Sequence, residues 1–353
     1  MNTVRTTATI TILGVAAAML AGCQSASAEP QEEAAALRLG YFANLTHAPA
    51  LVGVEEDLFE DALGGIDLET QIFNAGPAAV EALSAGAIDA AYIGPSPAIN
   101  TYIQSRGKSA VIVAGAASGG AALVVREGID TPEDLEGATL ATPQLGNTQD
   151  VALRAWLADE GFETSTSGGG DVAIVPTENA QTLTLFQSGD VDGAWLPEPW
   201  ASRLVVDAGA HVLVDERELW PDGEFPTTVL LVRADFAQQH PDAVEKLLQG
   251  HLAALDWIEE HPDELGGAIN AALDQATGKA LAEPVLARAL ENVAFTADPH
   301  AAAFEELVAD GVAAGTQKDG SIEGLFDLSI LNRLLEESGA EPVDDAGLGR
   351  AEP

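Results

Sequence analysis

Residues 82–95 have the sequence ALSAGAIDAAYIGP, and residues 185–198 repeat its pattern as LFQSGDVDGAWLPE, 103 positions later. Each copy begins as a helical segment that ends at a glycine, Gly86 or Gly189, which suits the left-handed backbone of a helix C-cap. An Ile-Asp or Val-Asp step leads into a strand that ends at an aromatic residue, and a proline-bearing turn into another helix follows. The repeat predicts two similar α/β lobes; the alternative is two ordinary strand–helix turns that agree by chance.

Short apolar runs of β-type composition alternate with amphipathic stretches along most of the chain, which is typical of βαβ units around mostly parallel sheets. From Asp235 onward the pattern predicts almost only helices. The fold class that follows is α/β, with mixed, mostly parallel sheets. The predicted strands are 37–42, 67–73, 89–93, 110–114, 121–125, 139–142, 172–175, 193–196, 212–214 and 229–232.

The N-terminus has the pattern of an export signal. Arg5 precedes an uncharged, largely apolar stretch from Ala8 to Ala21, which is too short to span a bilayer, since about 20 residues are needed. The run Leu20-Ala21-Gly22-Cys23 resembles a bacterial lipobox, in which the cysteine is lipidated and becomes the new N-terminus. We therefore predict a lipoprotein signal peptide at residues 1–22 and a protein anchored outside the cytoplasm through Cys23. A plain secretory signal with a chance cysteine is the alternative.

The composition excludes several classes of function. Asp and Glu number 56 against 15 Lys and Arg, so the formal net charge is −41 at pH 7. Nucleic-acid binding is excluded, because contacts to phosphates need clustered basic side chains. The six histidines are dispersed without metal-ligand spacing, and the common catalytic motifs are absent from the sequence. We therefore predict no metal, no cofactor and no enzymatic activity.

Four predicted strands end where a helix begins, and ligands of open α/β sheets bind at such ends. Each turn offers backbone N–H groups at a helix N-terminus together with a hydroxyl or amide, which suits a small oxyanion. Basic residues are absent from all four turns, so an anion would be held by neutral donors. The alternative is that Asn44, Ser96 and Thr148 are ordinary N-caps. The four turns are Asn44-Leu45-Thr46-His47, Gly94-Pro95-Ser96-Pro97, Gly146-Asn147-Thr148-Gln149-Asp150 and Pro197-Glu198-Pro199-Trp200.

Several segments together resemble the substrate-binding proteins of bacterial ABC importers, in the nitrate/sulfonate/taurine family. The resemblance covers the chain from about Leu37 to its end and is closest to aliphatic sulfonate binders. The matching segments are Leu39-Gly40-Tyr41-Phe42, Phe73-Asn74-Ala75-Gly76-Pro77, Ile93-Gly94-Pro95-Ser96-Pro97, Thr131-Pro132-Glu133-Asp134-Leu135-Glu136-Gly137, Thr142-Pro143-Gln144-Leu145-Gly146-Asn147-Thr148-Gln149-Asp150 and Gly193-Ala194-Trp195-Leu196-Pro197-Glu198-Pro199-Trp200.

The resemblance implies the type II fold of periplasmic binding proteins, with two lobes that close on the ligand about a hinge of two crossovers. We expect the crossovers near residues 115–120 and 227–231. The expected divisions are a flexible tether at 23–36, lobe one at 37–117 and 232–343, lobe two at 118–231, and a disordered tail at 344–353.

The resemblance also implies a ligand and its site. The expected ligand is an aliphatic sulfonate or taurine, with nitrate or bicarbonate as further candidates. Asp150 and Glu198 would pair with the ammonium of a zwitterion if they face the cleft, or only complement a helix dipole if they do not. Trp195 or Trp200 would cover the alkyl part of the ligand, or pack in the core. The expected ligand-binding residues are Asn44, Thr46, His47, Gly76, Ser96, Asn147, Thr148, Gln149, Asp150, Trp195 and Glu198.

The partners implied are an ABC permease and its ATPase, the membrane through the lipid alone, and no second copy of the chain, so that the protein acts as a monomer. The main alternative is a binding protein for a neutral pyrimidine precursor of thiamine, because Tyr41, Phe42, Trp195 and Trp200 could sandwich a ring. An enzyme or a sensor on the same fold is a further alternative.

Overall fold

The computed structural model describes residues 34–350. The predictions for the signal peptide, for Cys23 and for most of the tether therefore lie outside the described residues. The strands are β1 Ala36–Phe42, β2 Asp67–Phe73, β3 Ala90–Ile93, β4 Ala110–Gly119, β5 Ala121–Val125, β6 Thr139–Thr142, β7 Ala173–Pro176, β8 Gly193–Pro197, β9 His211–Asp215, β10 Pro226–Arg233 and β11 Val293–Phe295.

Helices alternate with the strands up to β10 and dominate after it. They are α1 Ala48–Glu55, α2 Leu58–Leu63, α3 Gly76–Ser84, α4 Pro95–Ser105, α5 Thr148–Asp159, α6 Asn179–Ser188, α7 Trp200–Ala208, α8 Ala234–Gln239, α9 Pro241–Glu260, α10 Pro262–Thr277, α11 Glu283–Glu291, α12 Phe304–Ala313 and α13 Ser329–Ser338.

The strands form two separate sheets that share one local order. A six-stranded sheet has the order β11-β4-β10-β3-β1-β2, and a five-stranded sheet has the order β7-β6-β8-β5-β9. In each sheet, three parallel strands stand beside an antiparallel one: β2-β1-β3 beside β10, and β7-β6-β8 beside β5. The repeat seen in the sequence thus corresponds to two similar α/β units, and the α/β fold with two mixed sheets is confirmed. We call the unit on the six-stranded sheet lobe one and the other lobe two.

Helices on both faces of the larger sheet explain why its central strands are apolar throughout. All four residues of β3 and all ten residues of β4 are buried. Such continuous apolar runs are expected for strands covered on both sides. One apolar cluster surrounds the larger sheet, whereas two smaller clusters lie on the two faces of the sheet of lobe two. Each lobe therefore has its own core, and the space between the lobes is free to hold a ligand.

The crossovers between the sheets lie partly where we expected them. The first is a single residue, Gly120, because β4 ends in lobe one at Gly119 and β5 begins in lobe two at Ala121. Both glycines have a left-handed backbone, with φ values of +74° and +72°, which other residues rarely adopt. The second crossover was placed wrongly: residues 226–231 belong to β10, which pairs with β3 and β4 in lobe one. The chain returns instead through residues 216–225.

Two further expectations for the C-terminal part are corrected. The segment after Asp235 contains the strand β11, which pairs with the last three residues of β4; its three residues are too few to give a strand pattern. Residues 344–350 are ordered rather than disordered, since Gly349 bridges to Phe326 and Leu348 is 7% exposed. The acidic residues before Leu348 are typical of a disordered tail, and a single leucine among them gives no pattern that predicts packing.

The described chain begins close to the predicted boundary of the tether. Ala36, expected in the tether, is the first residue of β1 and pairs with Asp67. The carbonyl of Ala35 also accepts a hydrogen bond from Asp67. The ordered fold therefore starts a little earlier than the sequence indicated. Within residues 34–350, none of the helices is both long and apolar enough to cross a bilayer.

Candidate functional site

Two adjoining cavities lie between the lobes. The inner cavity, of about 20 Å³, is polar; the outer cavity, of about 720 Å³, is much larger. Both are lined by the same three asparagines, Asn44, Asn74 and Asn179. The inner cavity is lined by Phe42, Asn44, Thr46, His47, Asn74, Gly94, Pro143, Asn147, Thr148, Gln149, Asn179, Pro197 and Thr227.

Six of the eleven residues expected from the sequence line the inner cavity. They come from both lobes, because the ends of β1 and β3 in lobe one face the ends of β6 and β8 in lobe two. The carboxyl ends of parallel strands are where such sites form. The six are Asn44, Thr46, His47, Asn147, Thr148 and Gln149.

The two asparagines that precede helices do not act as side-chain caps. Asn44 and Asn147 stand at N-cap positions, yet neither side chain caps its own helix. Instead, Asn44 Oδ1 accepts from the Trp200 indole N–H across the cleft at 2.8 Å, and Asn147 Oδ1 accepts from Gly76 N–H at 3.2 Å. The alternative that Asn44 is an ordinary side-chain cap is therefore wrong. It is also wrong for Ser96 and Thr148, because the N-cap positions of α4 and α5 are Gly94 and Asn147.

Gly76 and Ser96 lie at the lobe contact rather than on the cavity wall. Gly76 starts α3, and a Cβ added there would come 2.3 Å from Pro97 Cγ and 3.1 Å from Asn147 Oδ1. Ser96 N–H donates to Thr148 Oγ1 at 3.4 Å, and Ser96 Oγ is buried without a hydrogen-bond partner among the described residues. Both helix starts of lobe one thus meet the start of α5 in lobe two.

The start of α5 supplies the donors on the lobe-two side. Thr148 and Gln149 are 2% and 4% exposed and occupy the first turn of the helix. Gln149 Oε1 accepts from Asn147 Nδ2 at 2.9 Å, which leaves the Nε2 amide group of Gln149 as a donor. The unpaired N–H groups of a helix N-terminus add partial positive charge at the same place. This end of the cavity is therefore suited to an anionic oxygen.

His47 enters the site as a neutral ring. Burial lowers its pKa to about 3, and Nδ1 accepts from the Phe42 N–H at 3.3 Å. With Nδ1 as acceptor, the proton of the neutral imidazole is on Nε2. His47 packs against the Phe42 ring with a centroid distance of 4.3 Å. It can thus donate one hydrogen bond but adds no charge at neutral pH.

Asp150 is not a cleft residue, which corrects one expectation. Its side chain is fully buried and accepts from Thr142 Oγ1, from Gly146 N–H and from the guanidinium of Arg154, at 2.8 to 3.2 Å. Both carboxylate oxygens are therefore used inside lobe two. Asp150 fixes the turn that carries Thr148 and Gln149, and it does not line either cavity.

Trp195 is also removed from the ligand site, because it is part of the core of lobe two. Its side chain is fully buried beside Trp156, with ring centroids 6.0 Å apart. Its indole N–H donates to Glu216 Oε2 at 2.7 Å. Burial raises the pKa of the Glu216 carboxyl to about 7. The other tryptophan that we considered, Trp200, does line the outer cavity.

The raised pKa of Glu216 makes stability depend on pH. The folded-state pKa of about 7 exceeds the ordinary glutamate value of 4.5. The unfolded chain therefore releases this proton at lower pH, and stability falls as the pH rises from 4.5 to 7. Glu216→Gln removes that loss while the amide oxygen still accepts from Trp195. We expect the variant to come within about 1 kcal/mol of the wild type in urea unfolding at pH 5 and to exceed it by roughly 3 kcal/mol at pH 8.

A matched control for this stability measurement is Glu218→Gln, which changes an exposed glutamate two residues away. We expect this control to match the wild type at both pH values. An equal gain in both variants, or no gain for Glu216→Gln at pH 8, would contradict the assignment.

Glu198 bridges the two lobes and does not face either cavity. In lobe two it accepts from the Ser202 N–H and hydroxyl; from lobe one it accepts from Asn292 Nδ2 at 2.7 Å and lies 3.5 Å from Arg288. Burial raises its pKa, and these hydrogen bonds oppose the rise. The expectation that Glu198 pairs with a ligand ammonium is therefore corrected: its partners are Arg288 and Asn292.

Several residues that line the inner cavity were not predicted from the sequence. Asn74 follows β2 and Asn179 begins α6, so both obey the same rule that picked out Asn44 and Asn147. Applying that rule to every strand end, rather than to four, would have found them. Thr227 carries no such signal, because it belongs to the strand β10 that the sequence placed in the crossover.

The outer cavity has a mixed wall that both lobes build. Trp200 and Arg203 come from α7 in lobe two, with the guanidinium 4.7 Å above the indole ring. Leu273, Leu281 and Val285 come from lobe one, on α10, α11 and the segment between them. Such a combination of aromatic, aliphatic and a few polar groups is common in small-molecule pockets.

The chain is similar to known binding proteins. The chain is 29% identical to the taurine-binding periplasmic protein of Escherichia coli K12 over 215 residues, which are 61% of this chain and 64% of that protein. It is 25% identical over 339 residues to a Bacillus subtilis 168 protein assigned by name to aliphatic sulfonates, covering 90% and 94% of the two chains.

The fold is also that of a solved binding protein. The alkanesulfonate-binding protein SsuA of Xanthomonas axonopodis pv. citri, solved with bound MOPS, superposes with a TM-score of 0.68 at 22% identity, over 82% of this chain and 96% of that one. The model of the NMT1-like family matches residues 30–270. The resemblance to the nitrate/sulfonate/taurine binding proteins is thereby confirmed, and the chain belongs to the NMT1-like family of solute-binding proteins.

Proposed function

We propose that the protein captures a small organic anion, most directly an aliphatic sulfonate, and delivers it to an ABC permease. One observation carries this proposal: in a chain with 56 acidic residues, the described residues of the inner cavity include none. The wall is made of neutral donors, the neutral His47 and apolar groups. Neutral donors beside helix N-termini bind anionic oxygens without a salt bridge.

The positions of the acidic residues favour a plain sulfonate over taurine. Asp150 and Glu198, the two carboxylates considered for pairing with an ammonium, are both bonded inside the protein. Glu178 and Asp207 line the outer cavity, but both are exposed. Glu178 accepts from Asn74 Nδ2 at 3.1 Å, and Asp207 lies 3.6 Å from the guanidinium of Arg203. Taurine therefore gains little from its ammonium, and we expect ethanesulfonate to bind at least as tightly.

The remaining features of the proposal follow from the importer role. The protein is a binding component rather than an enzyme, it acts as a monomer, and its lobes close on the ligand before it meets the permease and its ATPase. Hinge closure around the ligand is a known transition of periplasmic binding proteins. Cross-cleft hydrogen bonds such as Gly76 to Asn147 and Trp200 to Asn44 support a closed form that is held by both lobes.

Anchoring through Cys23 is part of the proposal and is supported by the lipobox pattern alone. We expect Cys23→Ser to move the protein from the membrane fraction to the soluble fraction of the producing bacterium. Fractionation followed by immunoblotting measures this, with intact mass showing the loss of the lipid. A variant that stays in the membrane fraction at the wild-type level would contradict lipidation.

Calorimetric titration of the mature protein tests the ligand class. The protein is unfolded and refolded first, to remove ligand carried through purification. The panel contains ethanesulfonate, taurine, nitrate, bicarbonate and a hydroxymethylpyrimidine, each at low and high salt. We expect micromolar or tighter binding of ethanesulfonate and no heat from the pyrimidine. Tight binding of the pyrimidine with silent sulfonates would replace the anion by a neutral aromatic ligand.

A further inference from the structure

We propose that the outer cavity is a subsite for the tail of the ligand, so that the preferred substrates are sulfonates with an alkyl chain of four or more carbons or an aryl group. This inference rests on the proposed function, because the inner cavity must take the anionic head. It adds a preference by tail length and bulk, and it assigns that preference to residues Trp200, Leu273, Leu281 and Val285.

The inner cavity is too small to hold a whole organic anion. A volume of about 20 Å³ holds little more than one water-sized group, since one water needs about 10–15 Å³. At the separation that the lobes have here, this space takes about one oxygen of the head. The carbon atoms of an organic anion must therefore extend out of the inner cavity while the lobes stay closed.

The path for these atoms is set by the three shared asparagines, Asn44, Asn74 and Asn179. They line both cavities and so form the neck between them. Asn44 and Asn74 are bonded across the cleft, to Trp200 and Glu178. Asn179 is 8% exposed, and its Oδ1 is buried without a partner among the described residues. Asn179 Oδ1 is thus a hydrogen-bond acceptor that no described residue uses in the neck.

Beyond the neck, part of the wall suits an apolar tail, while Glu178, Asp207 and Lys279 also line the cavity. Leu273 and Val285 are 3% and 1% exposed, yet both line the cavity. Trp200 is fixed from both sides, by its hydrogen bond to Asn44 and by Arg203 stacked on its ring. Because the Trp200 side chain is already held in place, it loses little conformational entropy when a ligand binds. Burial of an apolar tail between this ring and the aliphatic side chains therefore adds directly to the affinity.

The tail would also help the lobes to close. Trp200 belongs to α7 in lobe two, whereas Leu273, Leu281 and Val285 belong to lobe one. A tail between them contacts both lobes only in the closed form. Ligand shifts a conformational equilibrium by its difference in affinity for the two states, so a longer tail favours closure as well as binding.

A chain-length series tests the inference by calorimetry on the full mature protein, with ethane-, butane- and octanesulfonate. Burial of a methylene contributes about 0.8 kcal/mol, which is roughly fourfold in affinity. We expect butanesulfonate to bind at least about tenfold more tightly than ethanesulfonate, with a further gain for octanesulfonate until the cavity is filled.

The matched variants place the gain in the outer cavity. Ala180→Trp fills the cavity from an exposed position of α6, and we expect the affinity ratio of octanesulfonate to ethanesulfonate to fall at least fivefold. The control, Ala158→Trp, adds the same side chain at an exposed position of α5 that lines neither cavity; we expect it to keep the wild-type ratio. Using the ratio within each protein cancels any uniform loss of affinity.

The outcomes separate this inference from the proposed function. Equal affinities for the three sulfonates, or an unchanged ratio in Ala180→Trp, would overturn the tail subsite while ethanesulfonate binding upholds the anion site. An absence of binding by all three sulfonates would overturn the proposed function and this inference together.

Discussion

Gly94→Ala is expected to lower the affinity for the sulfonate by about 100-fold or more while leaving both lobes folded. A Cβ added at Gly94 in lobe one would lie 2.3 Å from Thr148 Oγ1 and 3.3 Å from Thr148 Cβ in lobe two. The nearest atoms are therefore on the opposite side of the cleft. The backbone of Gly94 has φ −70° and ψ 154°, which alanine adopts without strain. The methyl group thus opposes closure, and a ligand that needs the closed form loses affinity in proportion to the closed fraction.

Calorimetry and small-angle scattering together measure this effect. We expect Gly94→Ala to bind ethanesulfonate weakly. When ethanesulfonate is added, the variant should keep the radius of gyration of the open form, which is larger than that of the closed form. The matched control is Gly267→Ala, because a Cβ there meets nothing within 4 Å. Affinity within threefold of the wild type for Gly94→Ala would show that the lobes do not close at this contact.

Arg154→Met is expected to lower the free energy of unfolding by about 3–5 kcal/mol, because it leaves the carboxylate of Asp150 buried without its charged partner. The two side chains are 1% and 0% exposed and are joined at 3.0 Å. The hydroxyl of Thr142 and the N–H of Gly146 still donate to Asp150, but neither supplies a positive charge. Denaturant unfolding at pH 7 measures the loss.

The double variant Asp150→Asn with Arg154→Met separates the charge from the volume of the side chains. The asparagine removes the buried charge, its Oδ1 can accept from the Gly146 N–H, and its Nδ2 can donate to Thr142 Oγ1. We therefore expect it to recover most of the lost stability. A loss below 1 kcal/mol in Arg154→Met alone would mean that the buried pair is not the main support of this turn.

The fold was predictable because its signals are local and repeated. The sequence predicted a strand after each of the glycines Gly86 and Gly189, and the structure has β3 and β8 there. It also predicted helices near Pro95 and Thr148, where α4 and α5 begin. The second crossover could not be placed, because the apolar run around Val229 suits a strand of either sheet. Its membership in lobe one is decided by pairing with β3 and β4, which is a long-range choice.

The position of the candidate site could be predicted from the sequence only through the ends of the predicted strands. The rule that ligands bind where strands end and helices begin identified Asn44, Thr46, Asn147 and Thr148 as neighbours across a cleft. It could not tell which way a side chain points. Asp150 and Glu198 have the same local context as these residues, yet each turns to a basic partner. Arg154 follows Asp150 by four residues on α5, a spacing at which helix side chains meet, so this pair was visible in the sequence. Arg288 is brought to Glu198 only by the fold.

The central claim is that the two lobes hold an anionic head in the inner cavity, and a crystal structure with ethanesulfonate tests it most directly. The anomalous signal of the ligand sulfur marks the position of the head. We predict the sulfur between Thr46 in lobe one and Thr148 and Gln149 in lobe two, with the carbon chain directed through the neck toward Trp200. A sulfur bound outside the space between the lobes, or away from the start of α5, would contradict the account.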